Sequence, residues 1–431
     1  MKSLPYLNPQ ESMPGKNGPT LWIDSVTACT RCHACSQVCP SYHVYPEELF
    51  SPRGREQLIR FLLEGKFKAK DHPQFVEKTI RTCTLCARCS AVCAGTLPVP
   101  HHLVALRRNQ GIQLLPQRLQ SLLRKRFEKP QFFDRCLHWF LALRRVYLTD
   151  LFRLFLPAWG QHLYRILPRR TSNLRPLLAK NAWSENPAQP DLIYLPSFYA
   201  QYIDASTALI SLQLSKAKCP AIWLDTSSGL EDYLYGSERA CLKAAKKLLL
   251  RWEKASQSGP LPLLTDSLEI YLFLKNYSFL FAAFPGWKKR AENLAAHVQF
   301  ITDFSFPQTL PAQVKSPKVA LDISSVLYPA ERGVAARARK ILRTLFGKNF
   351  VECEYSRFPL PAAASSLIEG SPARQITREN AKDVARQQIE KIYCLSGWAA
   401  LELNAALHAC HPTAQAKHFV HLMSDYGTVQ K

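Results

Sequence analysis

Residues 29–40 read CTRCHACSQVCP, and residues 83–93 read CTLCARCSAVC. Each stretch spaces four cysteines as C-x2-C-x2-C-x3-C, and the two together hold eight of the fourteen cysteines in the chain. Three thiols so close in sequence sit on one tight loop and can converge on one centre. The fourth opens the next, helical stretch and points away from that loop. Zinc sites usually pair C-x2–4-C elements to make four ligands, and disulfide frameworks belong to oxidising compartments. Both remain alternatives. The N-terminal MKSLPYLNPQESMPGK shows no apolar segment of a secretory signal, so this many cysteines favour metal binding.

The spacing is that of bacterial-type ferredoxins, in which cysteine runs hold [4Fe–4S] clusters and the fourth cysteine of a run ligates the other cluster. Two [4Fe–4S] clusters are therefore expected, one on Cys29, Cys32, Cys35 and Cys93, the other on Cys83, Cys86, Cys89 and Cys39. Pro40 follows the first run but Ala94 follows the second, which removes a turn and no ligand. His33 and His43 read as exposed or supporting residues, since both thiol sets are complete. Between the runs, SPRGREQLIRFLLEG (51–65) predicts a helix with Ser51 as N-cap, Pro52 in the first turn and Gly65 as the stop. Its apolar face is Leu58, Ile59, Leu62 and Leu63. Arg53 and Arg55 stand where they would tune the anionic clusters, or else are a solvated helix start.

The 431 residues are too many for one core. The formal charge is +23, from 56 Lys and Arg against 33 Asp and Glu, which points to an acidic partner, an anionic membrane face or nucleic acid. The excess is concentrated in 105–171, with fourteen basic residues against Glu128, Asp134 and Asp150. Leu137, Phe140, Leu141, Leu143, Leu148, Leu151, Phe152 and Phe155 form a helical stripe there. Two readings stand: helices on an anionic membrane surface or membrane subunit, or helices packed on their own protein. No groove-reading motif accompanies the charge, so nucleic acid is not expected. The most apolar run, IYLFLKNYSFLFAAF (270–284), is broken by Lys275 and Asn276, so no membrane span is expected. The expected location is the cytoplasm, at the inner face of a membrane if the basic segment docks there.

After a linker-like stretch at 171–190 the texture changes. DLIYLP, AIWLDT and PLPLLTD read as buried strands around helices at 203–217 and 236–254. The pattern restarts with KVALDI, NFVECEY and KIYCLSG around helices at 330–346, 376–391 and 397–408. The expected fold class is α+β and multidomain. It comprises an all-helical two-cluster module (1–104), a basic helical connector with linker (105–190) and two tandem α/β repeats (191–312 and 313–431).

This arrangement resembles the iron–sulfur subunits of glycolate and lactate oxidases, a family that takes in cognate subunits of anaerobic glycerol-3-phosphate dehydrogenase and heterodisulfide reductase. The two cysteine runs and the helix between them carry the resemblance, which weakens toward the C-terminus. The family implies a cysteine-rich C…CCG…C-x-x-C repeat in each α/β half. Here Ser197, Ser227-Ser228-Gly229, Asp266 and Glu269 stand at those positions in the first half. In the second, Ser324 or Ser325, the cysteine-free LPAAASS, and Cys394 with Gly397 stand there. Serine is a hard ligand and does not replace thiolate at an iron–sulfur cube. The resemblance thus implies single-electron transfer between a flavin-containing, 2-hydroxy-acid-type dehydrogenase and an acceptor such as a quinone or partner subunit, with no catalytic residue of its own. A docking scaffold and a heterodisulfide-reductase-type enzyme are the alternatives. Cys136, Cys219, Cys241, Cys353, Cys394 and Cys410 read as buried structural thiols. His101-His102 reads as a surface pair, the alternative being approach to a cluster or quinone. HACHPTAQAKHFVHL (408–422) lacks a tidy metal spacing. No dinucleotide, P-loop or zinc-protease motif occurs.

Overall fold

The computed structural model describes residues 26–110, 190–215, 222–235, 237–256, 259–306, 316–324, 326–329, 333–352, 365–368 and 371–426, with short pieces at 114, 125, 132–137, 139, 158–168, 171–174 and 309–310. The stripe read beyond Leu137, Cys219, Ser325, Cys353 and most of LPAAASS lie outside the described residues.

Residues 26–110 are helical, without a strand: α1 (Ala34–Gln37), α2 (Pro40–Val44), α3 (Pro52–Leu63), α4 (Pro73–Arg81), α5 (Arg88–Val92) and α6 (Val99–Asn109). The ends of α3 follow from its sequence. The Ser51 hydroxyl accepts from the Gly54 amide at 2.8 Å, Pro52 starts the helix, and Gly65 takes φ +69° just beyond it. Leu58 and Ile59 are fully buried, with Leu62 and Leu63 packed beside them.

Two four-stranded parallel sheets follow. The first comprises β1 (Ile193–Leu195), β2 (Ile222–Trp223), β3 (Leu263–Thr265) and β4 (Val298–Phe300), in the order β2-β1-β3-β4. The second comprises β5 (Val319–Asp322), β6 (Phe350–Val351), β7 (Lys391–Cys394) and β8 (Gln415–His418), in the same topological order, β6-β5-β7-β8. Continuous burial along β1, β3 and β5 is what a parallel sheet covered on both faces requires. The six strands expected from the sequence are present. Each sheet adds a fourth, β4 and β8, that the sequence pattern does not announce. Both are short edge strands, and β8 alternates exposed and buried residues.

In each sheet the strand order reverses between β1 and β3, or β5 and β7. Open α/β sheets ordinarily take ligands at this switch point, beyond the carboxyl ends of the strands. One continuous apolar core joins the helical N-terminal region to both sheets. The 270–284 stretch is interior: helix Leu268–Lys275 leads into a buried 3-10 turn, Tyr277–Phe281. Among the described residues no helix is long and apolar enough to cross a membrane.

Candidate metal centre

The two cysteine runs fold into matching loops. In the first, Arg31 and His33 take left-handed φ values of 58° and 68°. In the second, the equivalent Leu85 and Ala87 take 57° and 61°. Four non-glycine residues in this conformation cost about 1–3 kcal/mol each, and such strain persists where the surroundings impose it. It coils the chain so that the first three thiols of each run line one cavity. The Leu85 amide donates to Cys83 Sγ at 3.4 Å, the type of N–H···S bond that supports cluster ligands. No glycine signals these turns. Their only trace in the sequence is the repeated cysteine spacing.

The fourth cysteine of each run leaves its own loop. One cavity is lined by Cys29, Cys32, Cys35 and Cys93, with Arg31, His33, Arg53 and Glu56. The other is lined by Cys39, Cys83, Cys86 and Cys89, with Arg55 and Leu85. Cys89 also borders the first. Cys32 is exposed, whereas Cys39, Cys86 and Cys89 are buried, so the second cavity lies deeper. Four thiols around a cavity fit the donor set of a cubane. Zinc would need ligands about 2.3 Å from one ion. Among the described residues no three His, Cys, Asp or Glu side chains close on such a point.

Burial pushes the Cys35 and Cys86 thiols up to about 11 and raises Cys89 well above its ordinary value. It raises Cys39 too, against the opposing charge of Arg55. Cys32 is held below its ordinary value by the Ala34 amide and the Thr30 hydroxyl. These thiols would have to give up their protons to hold a metal group as thiolates.

Two consecutive residues of α3 serve different cavities. Arg55, 1 % exposed, donates to Cys39 Sγ at 3.9 Å, to the Thr82 hydroxyl at 3.1 Å and to the Thr79 carbonyl at 3.3 Å. Glu56, 2 % exposed, accepts from His102 Nδ1 at 2.9 and 3.0 Å. A second buried cation, Arg107, donates to the carbonyls of Cys83 (3.3 Å), Ile80 (3.2 Å) and Leu234 (3.2 Å). Desolvation lowers it only to about 10, so it stays charged at neutral pH. Arg53 lines the first cavity and pairs with Glu48 at 2.7 Å.

His101 and His102 are buried, which corrects the surface reading. Their polar partners come from afar, so two adjacent histidines carry no local sign of burial. The His101 ring packs on Tyr233, Phe279 and Tyr328, and its Nδ1 lies 2.8 Å from the Tyr233 hydroxyl. Burial pushes His101 down to about 3, and His418 to about 4. Unfolded histidine takes up a proton below about 6.5. Between that pH and the folded values the unfolded chain binds more protons, so stability present above pH 6.5 is lost as pH falls. In urea unfolding at pH 7 and pH 5, the His101→Leu variant is expected to lose less stability over this interval than the wild type. Parallel losses would show that His101 does not contribute. His43 is exposed and His33 is half-buried at the first cavity, as expected. Cys241 and Cys394 are buried as expected, but Cys136 and Cys410 are exposed.

Several of the residues read as replacing cysteines in the α/β halves lie at the two switch points. Asp266 accepts from the Tyr194 hydroxyl (2.9 Å), the Ser197 amide (2.8 Å) and the Ser197 hydroxyl. In the other sheet Ser324 donates to Asp322 at 2.5 Å. The two switch points face each other. Ser396 donates to Glu269 at 2.5 Å, the Leu268 amide to the Leu395 carbonyl at 3.3 Å, and His418 Nε2 to the Asp266 carbonyl at 2.8 Å. A Cβ on Gly397 would lie 2.2 Å from the Tyr199 ring. The first crevice is bridged by the Ser197–Asp266 bonds, and the opposite α/β region packs against it. Two of the four histidines in 408–422 have structural roles: His418 as above, and His421 paired with Asp204 at 2.7 Å.

Residues 25–97 match the model of a 4Fe–4S dicluster domain. The glycolate oxidase iron–sulfur subunit of Escherichia coli (strain K12) is 28% identical over 273 residues, covering 61% of this chain and 61% of that protein. An uncharacterized iron–sulfur protein of Methanococcus maripaludis is 29% identical over 84 residues, 19% of this chain and 16% of that protein. The chain thus spans less than two thirds of the length of these curated relatives. No solved structure matches it. These matches bear out the resemblance carried by the two cysteine runs: residues 25–97 match a 4Fe–4S dicluster domain, and the chain is similar to an iron–sulfur subunit of glycolate oxidase.

Proposed function

We propose that the chain relays single electrons through two [4Fe–4S] clusters, one held by Cys29, Cys32, Cys35 and Cys93, the other by Cys39, Cys83, Cys86 and Cys89. The observation that carries the reading is the pair of cavities, each lined by three thiols of one run and the fourth of the other. The clusters supply the one-electron chemistry. The chain supplies thiolates, N–H···S bonds, buried charge and exclusion of water from the deeper site.

The donor in this reading is a flavin-containing dehydrogenase subunit of the 2-hydroxy-acid type, and the acceptor is a quinone or another subunit. Likeness to the glycolate oxidase iron–sulfur subunit supports the first half of that statement. The chain itself performs no substrate chemistry. The α/β regions, with Ser197, Asp266 and Glu269 engaged in hydrogen bonds where the family carries thiols, are a scaffold that backs the deeper cluster. They meet the loop that lines its cavity, the Leu327 amide donating to the Leu85 carbonyl at 2.9 Å. The layout proposed is a two-cluster module to about residue 104, a basic connector to about 190 that docks on a membrane face or partner, and one α/β repeat on each side of about residue 312.

Anaerobic purification followed by iron and sulfide analysis tests the cluster reading. About eight irons per chain are expected; about two irons or none would overturn it. Co-purification of a flavoprotein tests the partner, and a stable chain recovered alone would count against the scaffold.

A further inference from the structure

The two cavities differ in the charge that is locked beside them. Arg55 and Glu56 are adjacent on α3, both almost fully buried, yet Arg55 borders the cavity of Cys39, Cys83, Cys86 and Cys89, and Glu56 the other. Arg55 is held by a carbonyl, a hydroxyl and Cys39 Sγ, none of which is a carboxylate, so its positive charge is not offset by a bonded partner. Arg107 adds a second buried guanidinium behind Cys83. At the first cavity the acid is buried, bonded to His102; of the two arginines there, Arg53 is tied to Glu48 and Arg31 is exposed to water. The first cavity also contains the exposed Cys32.

We propose that Arg55 is a positioning residue that makes the two clusters inequivalent, stabilising the reduced form of the deeper cluster so that electrons taken up near Cys32 settle on it. The inference rests on the ligand sets proposed above. Each reduction adds one negative charge to a cluster. A fixed cation within hydrogen-bond reach of a ligand sulfur, away from water, lowers the energy of that charge. Glu56 acts in the opposite sense on the outer cluster. The guanidinium also ties Cys39 to Thr82, just before the second run, so one side chain both places the crossing ligand and sets the field at it.

The experiment is an EPR-monitored redox titration of the full, anaerobically purified chain, with iron counted on each sample. In the wild type two potentials are expected, separated by at least about 59 mV, a tenfold difference in one-electron reduction. Coincident potentials would overturn the proposal. Arg55→Gln with about eight irons retained is expected to make reduction of the higher-potential cluster at least tenfold less favourable. Arg55→Lys, which keeps the charge, is expected to stay near the wild type. An unshifted Arg55→Gln would overturn the proposal. If Arg55→Gln sheds iron, Glu56→Gln reads the same field from the other side and should raise only the lower potential; no change there would count against it. A wild type with fewer than two clusters would instead defeat the ligand assignment, which the iron count reveals before any titration.

Discussion

A chain carrying Cys29→Ala and Cys39→Ala together is expected to lose both clusters, whereas Cys29→Ala with Cys93→Ala should keep about four irons of roughly eight. The two pairs separate the interlocked scheme from one cluster per run. Cys29 and Cys39 belong to the same run but border different cavities, and Cys29 and Cys93 belong to different runs but border the same one. Under one cluster per run the outcomes reverse: the first pair spares the 83–93 cluster and the second strips both. Loss of one thiolate can leave an incomplete cluster, so the decisive readout is which EPR signal survives intact beside the iron count. Single variants sharpen it. Cys39→Ala should abolish the signal that Arg55→Gln shifts, because Arg55 bonds the Cys39 sulfur. Cys93→Ala should leave that signal in place.

The cysteine loops are legible in the sequence because their information is local. Spacing within a run decides which thiols share a loop, and Ser51, Pro52 and Gly65 mark the helix between the runs without help from tertiary structure. The strands at 193–195, 263–265 and 319–322 are legible for a similar reason, as short wholly buried apolar runs. What escapes is fixed by distant partners. The His101 ring is enclosed by Tyr233, Phe279 and Tyr328, all more than 100 residues away. The edge strand β8 is hidden among histidines and polar residues, because it gains its place only by pairing with β7. Ser197, Asp266 and Glu269 can be read as lost cysteines, but their bonds to Tyr194, Ser267 and Ser396 cannot. The four left-handed residues of the loops are a further case. Arg31, His33, Leu85 and Ala87 have no intrinsic preference for that backbone, which follows from bringing three thiols to one centre.

Introducing a thiol at residue 397 is expected to destabilise the chain instead of creating a metal site. Gly397 opens the helix Gly397–Cys410, capped by the Ser396 hydroxyl, and lies against Tyr199 of the other α/β region. A Cβ there would stand 2.2 to 2.5 Å from the ring and Cβ of Tyr199. These atoms are at the root of the side chain, in a buried contact between two packed regions, so they cannot swing aside. Overpacking of this kind costs about 1–3 kcal/mol or more. Gly397→Ala should lower the urea midpoint of the α/β regions by a corresponding amount, and Gly397→Cys by at least as much. Tyr199→Ala removes two of the three clashing atoms, so Gly397→Ala should cost less in the Tyr199→Ala background than in the wild type. That coupling distinguishes a specific clash from a general loss of helix stability, since alanine is the better helix former by about 1 kcal/mol and would otherwise stabilise. A Gly397→Cys chain that keeps its wild-type midpoint and takes up additional iron beyond the N-terminal clusters would show that the crevice remains open. The hydrogen bonds of Asp266 and Glu269 across it argue that it is closed, and that this face holds the two α/β regions together.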